Sequence, residues 1–465
     1  MNRTIPFSLV ILAPAIACAQ PSARSDAPPL AGKIDSVMKA AEAKGFSGAV
    51  RIEKDGAVIL EKGYGLANRA NKIAFTPETV VQIGSNTKDF TAVAILQLKE
   101  RGLLDLTDSI GKYFPNAPDD KKNITIQHLL DHRAGFPLGL GPDFEQKTRQ
   151  QLVDGAMSVK LLFDPGQNNR YSNTGFALLA AIIEQLSGKT YDEYLRDNII
   201  APLGLTHTGF HLPGFDPRTL AHGYDATGKD AGTMLSKPHA VDGPYWNLRG
   251  NGGMLSTVGD MHEFYTALFE TEKLLKAATR SLRFNPGQPI ALAGSDLVNV
   301  FIFERDPIAK SEIIIASTNA LQKAGPMLRE IASVIEPGRA RRIERQVGAG
   351  TPAPRRGGKT PSAAHSTLAN QFVAALNSGD ADSLRKFIAA NFLAGDGAPT
   401  VEERMERLGG IHANMGSISI VSMVITDTGS LEVTIETELE GEGLLILDLG
   451  PDAPYRIRRV GIQIG

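Results

Sequence analysis

With 465 residues, 42% of them hydrophobic, the chain exceeds what one compact core accommodates, since single cores stop growing near ~250 to 300 residues; two folded units are expected. A formal net charge of -2 supplies no long-range field to gather a polyanion, which argues against nucleic acid or an anionic membrane surface as partner. The single cysteine, Cys18, leaves no disulfide, cysteine-ligated metal or thiol nucleophile in the body of the chain.

In chain order, Met1-Asn2-Arg3, an apolar stretch over 5–17 and Ala17-Cys18-Ala19 before Gln20 read as a signal peptide over 1–19, so the protein is expected to be exported, periplasmic or secreted. The alternative is lipoprotein processing at Cys18, for which Pro14-Ala15-Ile16-Ala17 is a poor lipobox. The apolar stretch is shorter than the ~18 to 20 residues of a span and is interrupted by Pro6 and Pro14, so no integral membrane span is expected.

A helical pattern follows over 34–43. Gly48-Ala49-Val50-Arg51-Ile52 and Ala57-Val58-Ile59-Leu60, joined by Lys54-Asp55-Gly56, then predict a β-hairpin with Asp-Gly at the turn. A second pair of strand-like runs, 297–304 and 313–317, flanks Asp306-Pro307, while 86–280 is mainly helical pattern with loops. The implied architecture is α+β: a sheet built from both ends of a domain spanning 28–336, with a helical insertion. Residues 337–364 turn to Arg, Pro, Gly and Ala without apolar periodicity and read as a flexible linker, its arginines solvated. In 365–465, amphipathic helices marked by Leu368, Phe372, Leu376, Leu384, Phe387 and Phe392 precede alternating strands over 417–426 and 430–437, a small second α+β domain.

The chemistry concentrates at Gly84-Ser85-Asn86-Thr87-Lys88, which opens a helix apolar on most faces. Ser85 and Lys88 are neighbours on such a helix because positions i and i+3 share a side. A serine hydroxyl is a weak nucleophile that needs a base, and a lysine serves only if desolvation or another cation lowers its pKa. A surface helix start explains Ser-x-x-Lys equally well in isolation; what sets this one apart is the apolar surround that would bury the lysine. Further on, Asn169-Arg170-Tyr171-Ser172-Asn173-Thr174-Gly175 forms a polar loop just before another apolar helix.

Ser-x-x-Lys followed 86 positions later by Tyr-x-Asn resembles the serine β-lactamase-related family, which includes class C β-lactamases, D-alanyl-D-alanine peptidases and esterases. The likeness extends to Phe46-Ser47-Gly48-Ala49-Val50, Gly63-Tyr64-Gly65, the run from Ile124 through His132, and Gly252-Gly253-Met254-Leu255-Ser256-Thr257, covering about 46–319. It implies the β-lactamase and penicillin-binding-protein fold, an antiparallel sheet with helices and a helical subdomain. It also implies Ser85 as nucleophile, Lys88 beside it, Tyr171 as proton shuttle with its phenol pKa lowered by the nearby Lys88 charge, and Asn173 as a partner of the substrate's acyl amide. The C-terminal unit resembles the cone-shaped ketosteroid-isomerase-like fold, without an acid-base pair, and its expected role is accessory.

One family motif departs. The expected Lys or His two residues before a glycine on the flanking strand is replaced in Leu292-Ala293-Gly294-Ser295. Gly294 still permits close backbone approach, and the Ser295 amide is expected to complete an oxyanion hole with that of Ser85. The lost cation predicts a weaker Tyr171 unless one of His128, His132, His222 or His262 replaces it. The reading is a serine hydrolase acting through a Ser85 acyl-enzyme on an ester or amide, whether peptide, β-lactam or simple ester; the alternative is a weakly active or inactive sensor or binding protein of the same fold. The expected partner is a small-molecule or peptide acyl substrate. No cofactor or metal is expected, because no phosphate-cradling loop, dinucleotide fingerprint or His-Glu-x-x-His helix occurs.

Overall fold

The computed structural model describes residues 30–210, 217–225, 228–295, 298–318, 324–336, 361–394, 398–408, 417–425, 430–437, 441–450 and 455–464. The expected signal peptide with Cys18 lies outside these residues, as does most of the expected linker. Among the described residues, no helix is long and apolar enough to cross a membrane.

The larger sheet has five antiparallel strands in the spatial order Ala57–Tyr64, Gly48–Lys54, Ser311–Ser317, Val300–Asp306, Ile290–Ser295. Strands from the two ends of the unit thus meet, with Gly48 paired to Ser317 and Lys54 to Ser311. The hairpin forms as its sequence predicts: Asp55 and Gly56 both take positive φ, 54° and 77°, matching the right-handed twist of the flanking strands.

Alternation along these strands divides the core into two faces. Val50, Ile52, Ile313 and Ile315 pack with Ile34, Met38, Met327 and Ile331 from the helices Leu30–Ala43 and Ala324–Ile335. Ala49, Ile314, Ala316, Phe301 and Phe303 face the other way, into the main core with Phe90, Phe176, Phe264 and Tyr265. The helix Thr87–Glu100 runs through that core with every residue from Thr87 to Leu98 buried. It is held between the helix Asn173–Ser187 and the helix Val258–Glu270.

The C-terminal region has its own core. The helices Ala363–Asn377, Ala381–Asn391 and Val401–Leu408 precede a four-stranded antiparallel sheet of Ile418–Ile425, Leu431–Thr437, Gly441–Leu449 and Ile457–Ile464 in sequential order. Phe372, Phe387 and Phe392 pack against Val433, Ile435, Leu445 and Leu447. Its first helix starts two residues before the expected boundary, because the Ser362 hydroxyl caps it by accepting from the His365 amide.

Candidate active site

Ser85 sits in a 3-10 turn, Gly84–Asn86, that runs directly into the helix Thr87–Glu100. Thr87 Oγ1 donates to the Gly84 carbonyl at 2.7 Å, stapling the turn to the first helical residue. Lys88 follows one turn on, and its Nζ lies 3.0 Å from Ser85 Oγ and 2.8 Å from the main-chain carbonyl of Asn251. Lys88 is 6% exposed. Burial pulls its ammonium down to about 7 against the opposing pull of Asp89 and Asp143, so near neutrality half of the population carries a free amine lone pair beside the serine hydroxyl.

Tyr171 arrives from the loop before the helix Asn173–Ser187, whose start is capped by the Ser172 hydroxyl accepting from the Gly175 amide. Its hydroxyl donates to Ser85 Oγ at 2.6 Å. Lys88 Nζ lies 4.6 Å from the centre of its ring. The residue is 42% exposed, but its hydroxyl is directed at Ser85 Oγ, and burial pushes the phenol up to about 12, only partly offset by the Ser85 hydrogen bond. The expected lowering by Lys88 does not occur. Desolvation of the phenolate outweighs the Ser85 hydrogen bond and the charge of Asp89 pushes the same way, so Tyr171 is a protonated donor at neutral pH.

None of the four histidines replaces the missing cation. His132 comes nearest, its ring 4.5 Å from that of Tyr171 and 5.1 Å from that of Phe176. Burial, with the charges of Lys88 and Arg283, pulls it down to about 4, so it is neutral. Its Nδ1 accepts from the Ser172 amide at 3.2 Å and its carbonyl from the Arg170 amide at 2.8 Å, with φ at 57°. His132 thereby brackets Tyr171 from both sides of the chain and sets where the phenol points. His128 belongs to a helix cap at Thr125, His222 pairs with Asp230, and His262 pairs with Glu312.

Asn173 is the first residue of its helix; its amide donates to Leu138 O at 2.7 Å, and its side-chain oxygen is buried without a protein partner. Gly294 and Ser295 end the edge strand Ile290–Ser295, which is seated against the Ser85 turn. A Cβ on Gly294 would lie 2.0 Å from the Ile83 carbonyl and 2.6 Å from the Ser85 amide nitrogen. Gly84, at φ 51°, would place a Cβ 2.5 Å from the Ser295 amide nitrogen. Both positions need glycine, one for close approach and one for backbone conformation as well. Strand and turn therefore meet through bare backbone, which brings the amides of Ser85 and Ser295 to the same junction. Leu292, at the position of the missing cation, packs partly buried on the main core.

Three participants, Asn251, Asp89 and Tyr265, escape the motif-based reading. Asn251 contributes a main-chain carbonyl to Lys88, a contact any residue type could make and which sequence therefore does not mark. Asp89 is buried, and Tyr265 donates to its carboxylate at 2.8 Å; an acidic residue in the first turn of a helix that is apolar on most faces was the available signal for it. Among the described residues one group of carboxylates and imidazole has metal-like closeness, Glu53, His262 and Glu312, with ligand atoms within 4.8 Å. There, however, Nδ1 faces Glu312 Oε1 at 2.6 Å and Nε2 faces Glu53 Oε1 at 3.7 Å. Against the effect of burial, the Glu312 hydrogen bond and the two carboxylate charges raise the imidazole above its ordinary value, and the arrangement suits a protonated ring.

Comparison with known proteins identifies the fold and the family. The chain is 32% identical over 243 residues to the putative penicillin-binding protein PbpX of Bacillus subtilis, covering 52% of this chain and 60% of that one. It is 28% identical over 266 residues to penicillin-binding protein 4* of the same organism, covering 53% and 58%. The matched region thus spans about 60% of the length of these relatives. The structure aligns with that of D-amino acid amidase from Ochrobactrum anthropi SV3, at a TM-score of 0.56 and 24% identity over 67% of this chain and 99% of that one. That likeness establishes the β-lactamase and penicillin-binding-protein-like α+β fold. The family model for Beta-lactamase matches residues 33–295, more than half the chain and the whole of the Ser85, Lys88, Tyr171 and Gly294 constellation, and the chain belongs to that family.

Proposed function

We propose that the protein is a serine hydrolase that transfers the acyl group of an ester or amide to Ser85 and then to water. The observation that carries this reading is the meeting of three groups at one oxygen: Ser85 Oγ lies 3.0 Å from Lys88 Nζ and 2.6 Å from the Tyr171 hydroxyl. The neutral fraction of Lys88 takes the hydroxyl proton as Ser85 attacks the carbonyl carbon. The Ser85 and Ser295 amides hold the developing oxyanion, and the Asn173 carboxamide meets the acyl amide of a substrate that has one. Tyr171, protonated, gives its proton to the leaving group and recovers one from Lys88. Water then enters by the reverse relay and releases the acid.

The substrate class is a small-molecule or peptide acyl donor. A second reading, a slow or inactive acyl-binding sensor, is favoured by one observation: Leu292 leaves the site without the cation its family carries beside the tyrosine. Further elements of the proposal are export through residues 1–19, a tether over 337–364, and an accessory role for the C-terminal unit. The last is supported by its helices-then-sheet order, which is compatible with a ketosteroid-isomerase-like fold.

Incubation with a fluorophosphonate, a penicillin and a p-nitrophenyl ester, followed by intact-mass measurement, tests the reading. An acyl or phosphonyl adduct is expected on the wild type and none on Ser85→Ala. An adduct that forms but does not turn over selects the sensor, and no adduct with any probe overturns both.

A further inference from the structure

Asp89 stands in the first turn of its helix, where a carboxylate suits the helix dipole, yet it is buried in a core where an unpaired charge is costly. It sits one turn from Ser85 and next to Lys88, and positions i, i+3 and i+4 share a helix face. Its carboxylate accepts from the Tyr265 hydroxyl at 2.8 Å. That hydroxyl in turn accepts from Asn86 Nδ2 at 2.8 Å. Asn86 is the residue after the nucleophile, within the 3-10 turn, and its Oδ1 lies against Gly294, 2.5 Å from where a Cβ would stand. Tyr265 is itself immobilised by stacking on Phe303, with ring centroids 3.8 Å apart.

A hydrogen-bonded chain thus runs from Asp89 through Tyr265 and Asn86 to the junction where the Ser85 turn meets the Ile290–Ser295 strand. Building on the acyl-enzyme reading above, we propose that Asp89 is a positioning residue of this site: it orients Tyr265 and Asn86 to hold the nucleophile's turn, and its charge regulates when Lys88 gives up its proton.

Tyr265 on the helix Val258–Glu270 donates to this carboxylate, and the charges that act on it are those of Arg283, from the segment before the edge strand, and of Lys88, the preceding residue of its own helix; its field also reaches Tyr171. Burial outweighs them and raises Asp89 to about 6. The Lys88 ammonium feels Asp143 in addition. An ionised Asp89 stabilises the ammonium, so it holds Lys88 in the form that cannot act as a base. Removing the charge lowers the pH at which Lys88 becomes free amine.

The test is the pH dependence of the rate at which the fluorophosphonate modifies Ser85, in wild type and Asp89→Asn. Asparagine keeps the size and still accepts from Tyr265, so the clamp survives while the charge goes. The expected result is a rising limb displaced by about half a pH unit toward acid, with the variant up to about twofold faster than wild type between pH 6 and 7 and the two rates converging below about pH 6, where Asp89 is itself protonated. A midpoint that stays put while the rate falls by the same factor at every pH overturns the proposal and makes Asp89 a packing residue. If Asp89→Asn does not fold, Tyr265→Phe keeps the ring stack and removes the hydrogen bond. Asp89 then protonates more readily and the turn loses its clamp, so a limb moved toward acid and a slower maximal rate are both expected, and an unchanged profile overturns the proposal. No adduct on wild type at any pH removes the acyl-enzyme reading and this inference with it, whereas a normal wild-type adduct with unmoved variant midpoints removes this inference alone.

Discussion

Two of the interior clusters of ionisable side chains among the described residues solve the problem of buried charge in opposite ways. Around His262, on the sheet face of the helix Val258–Glu270, charge is matched by charge. Arg51 bonds Glu53 at 2.5 Å and Glu61 at 3.0 Å, and the imidazole lies between Glu312 and Glu53. Around Ser85 the charge is instead suppressed. Lys88 bonds the Ser85 hydroxyl and the Asn251 carbonyl, burial brings it down to about 7, Tyr171 goes up to about 12 and His132 down to about 4. A cluster whose charges are paired holds its protons and serves the fold. One whose groups are stripped of charge, with a hydroxyl between an amine and a phenol, can pass a proton at neutral pH. Closeness of titratable groups alone does not separate the two; pairing does.

The contrast breaks first at the amine. Lys88→Met keeps length and burial while deleting the base, and stopped-flow acylation by a p-nitrophenyl ester should slow by about 10^3-fold; an ester rate within tenfold of wild type would mean another group takes the proton. Gly294→Ala comes next, since its methyl would meet the Ile83 carbonyl and the Ser85 amide and push strand from turn. Acylation should fall by about 10^2-fold, and retained activity would disconnect the edge strand from the oxyanion.

The pH profile of the wild type sharpens the comparison at smaller amplitude. Acylation should rise through about pH 7 as Lys88 loses its proton and level off above pH 8. Tyr171 is still protonated there, so a rate that climbs tenfold from pH 8 to pH 10 would transfer the role of base to the phenol. In the paired cluster, His262→Gln should leave acylation unchanged and cost about 1 to 3 kcal/mol of stability, read by denaturant unfolding. Burial alone would depress the imidazole, but the hydrogen bond and charge of Glu312 with the charge of Glu53 outweigh it and raise it overall. That contribution is complete below the ordinary histidine value of ~6.5 and disappears as pH rises through the raised folded value. The gap between wild type and variant should therefore narrow toward alkaline pH; a widening gap would contradict the imidazolium.

Patterns short in sequence were legible before any coordinates. The Asp55-Gly56 hairpin, the alternation of Val50 and Ile52 against Ala49 and Arg51, and the spacing of Ser85 and Lys88 on one helix follow from periods of 2 and 3.6 that each stretch obeys by itself. The Tyr171 and Asn173 pair was legible as a motif, though its distance from Ser85 was not. What could not be read is anything that depends on neighbours remote in the chain. The direction of the Tyr171 shift is one example. Others are the neutrality of His132, the Asn251 carbonyl on Lys88, and the Tyr265 hydroxyl that joins Asp89 to Asn86 from 176 and 179 residues away.

By itself the sequence determined which residue types lie on which face of each element, and hence the sheet, the buried helix and the candidate nucleophile. Tertiary structure decided the protonation of Lys88, Tyr171 and His132, because a pKa reports the free energy of a charge in its surroundings, and those surroundings exist only once distant segments have closed around it.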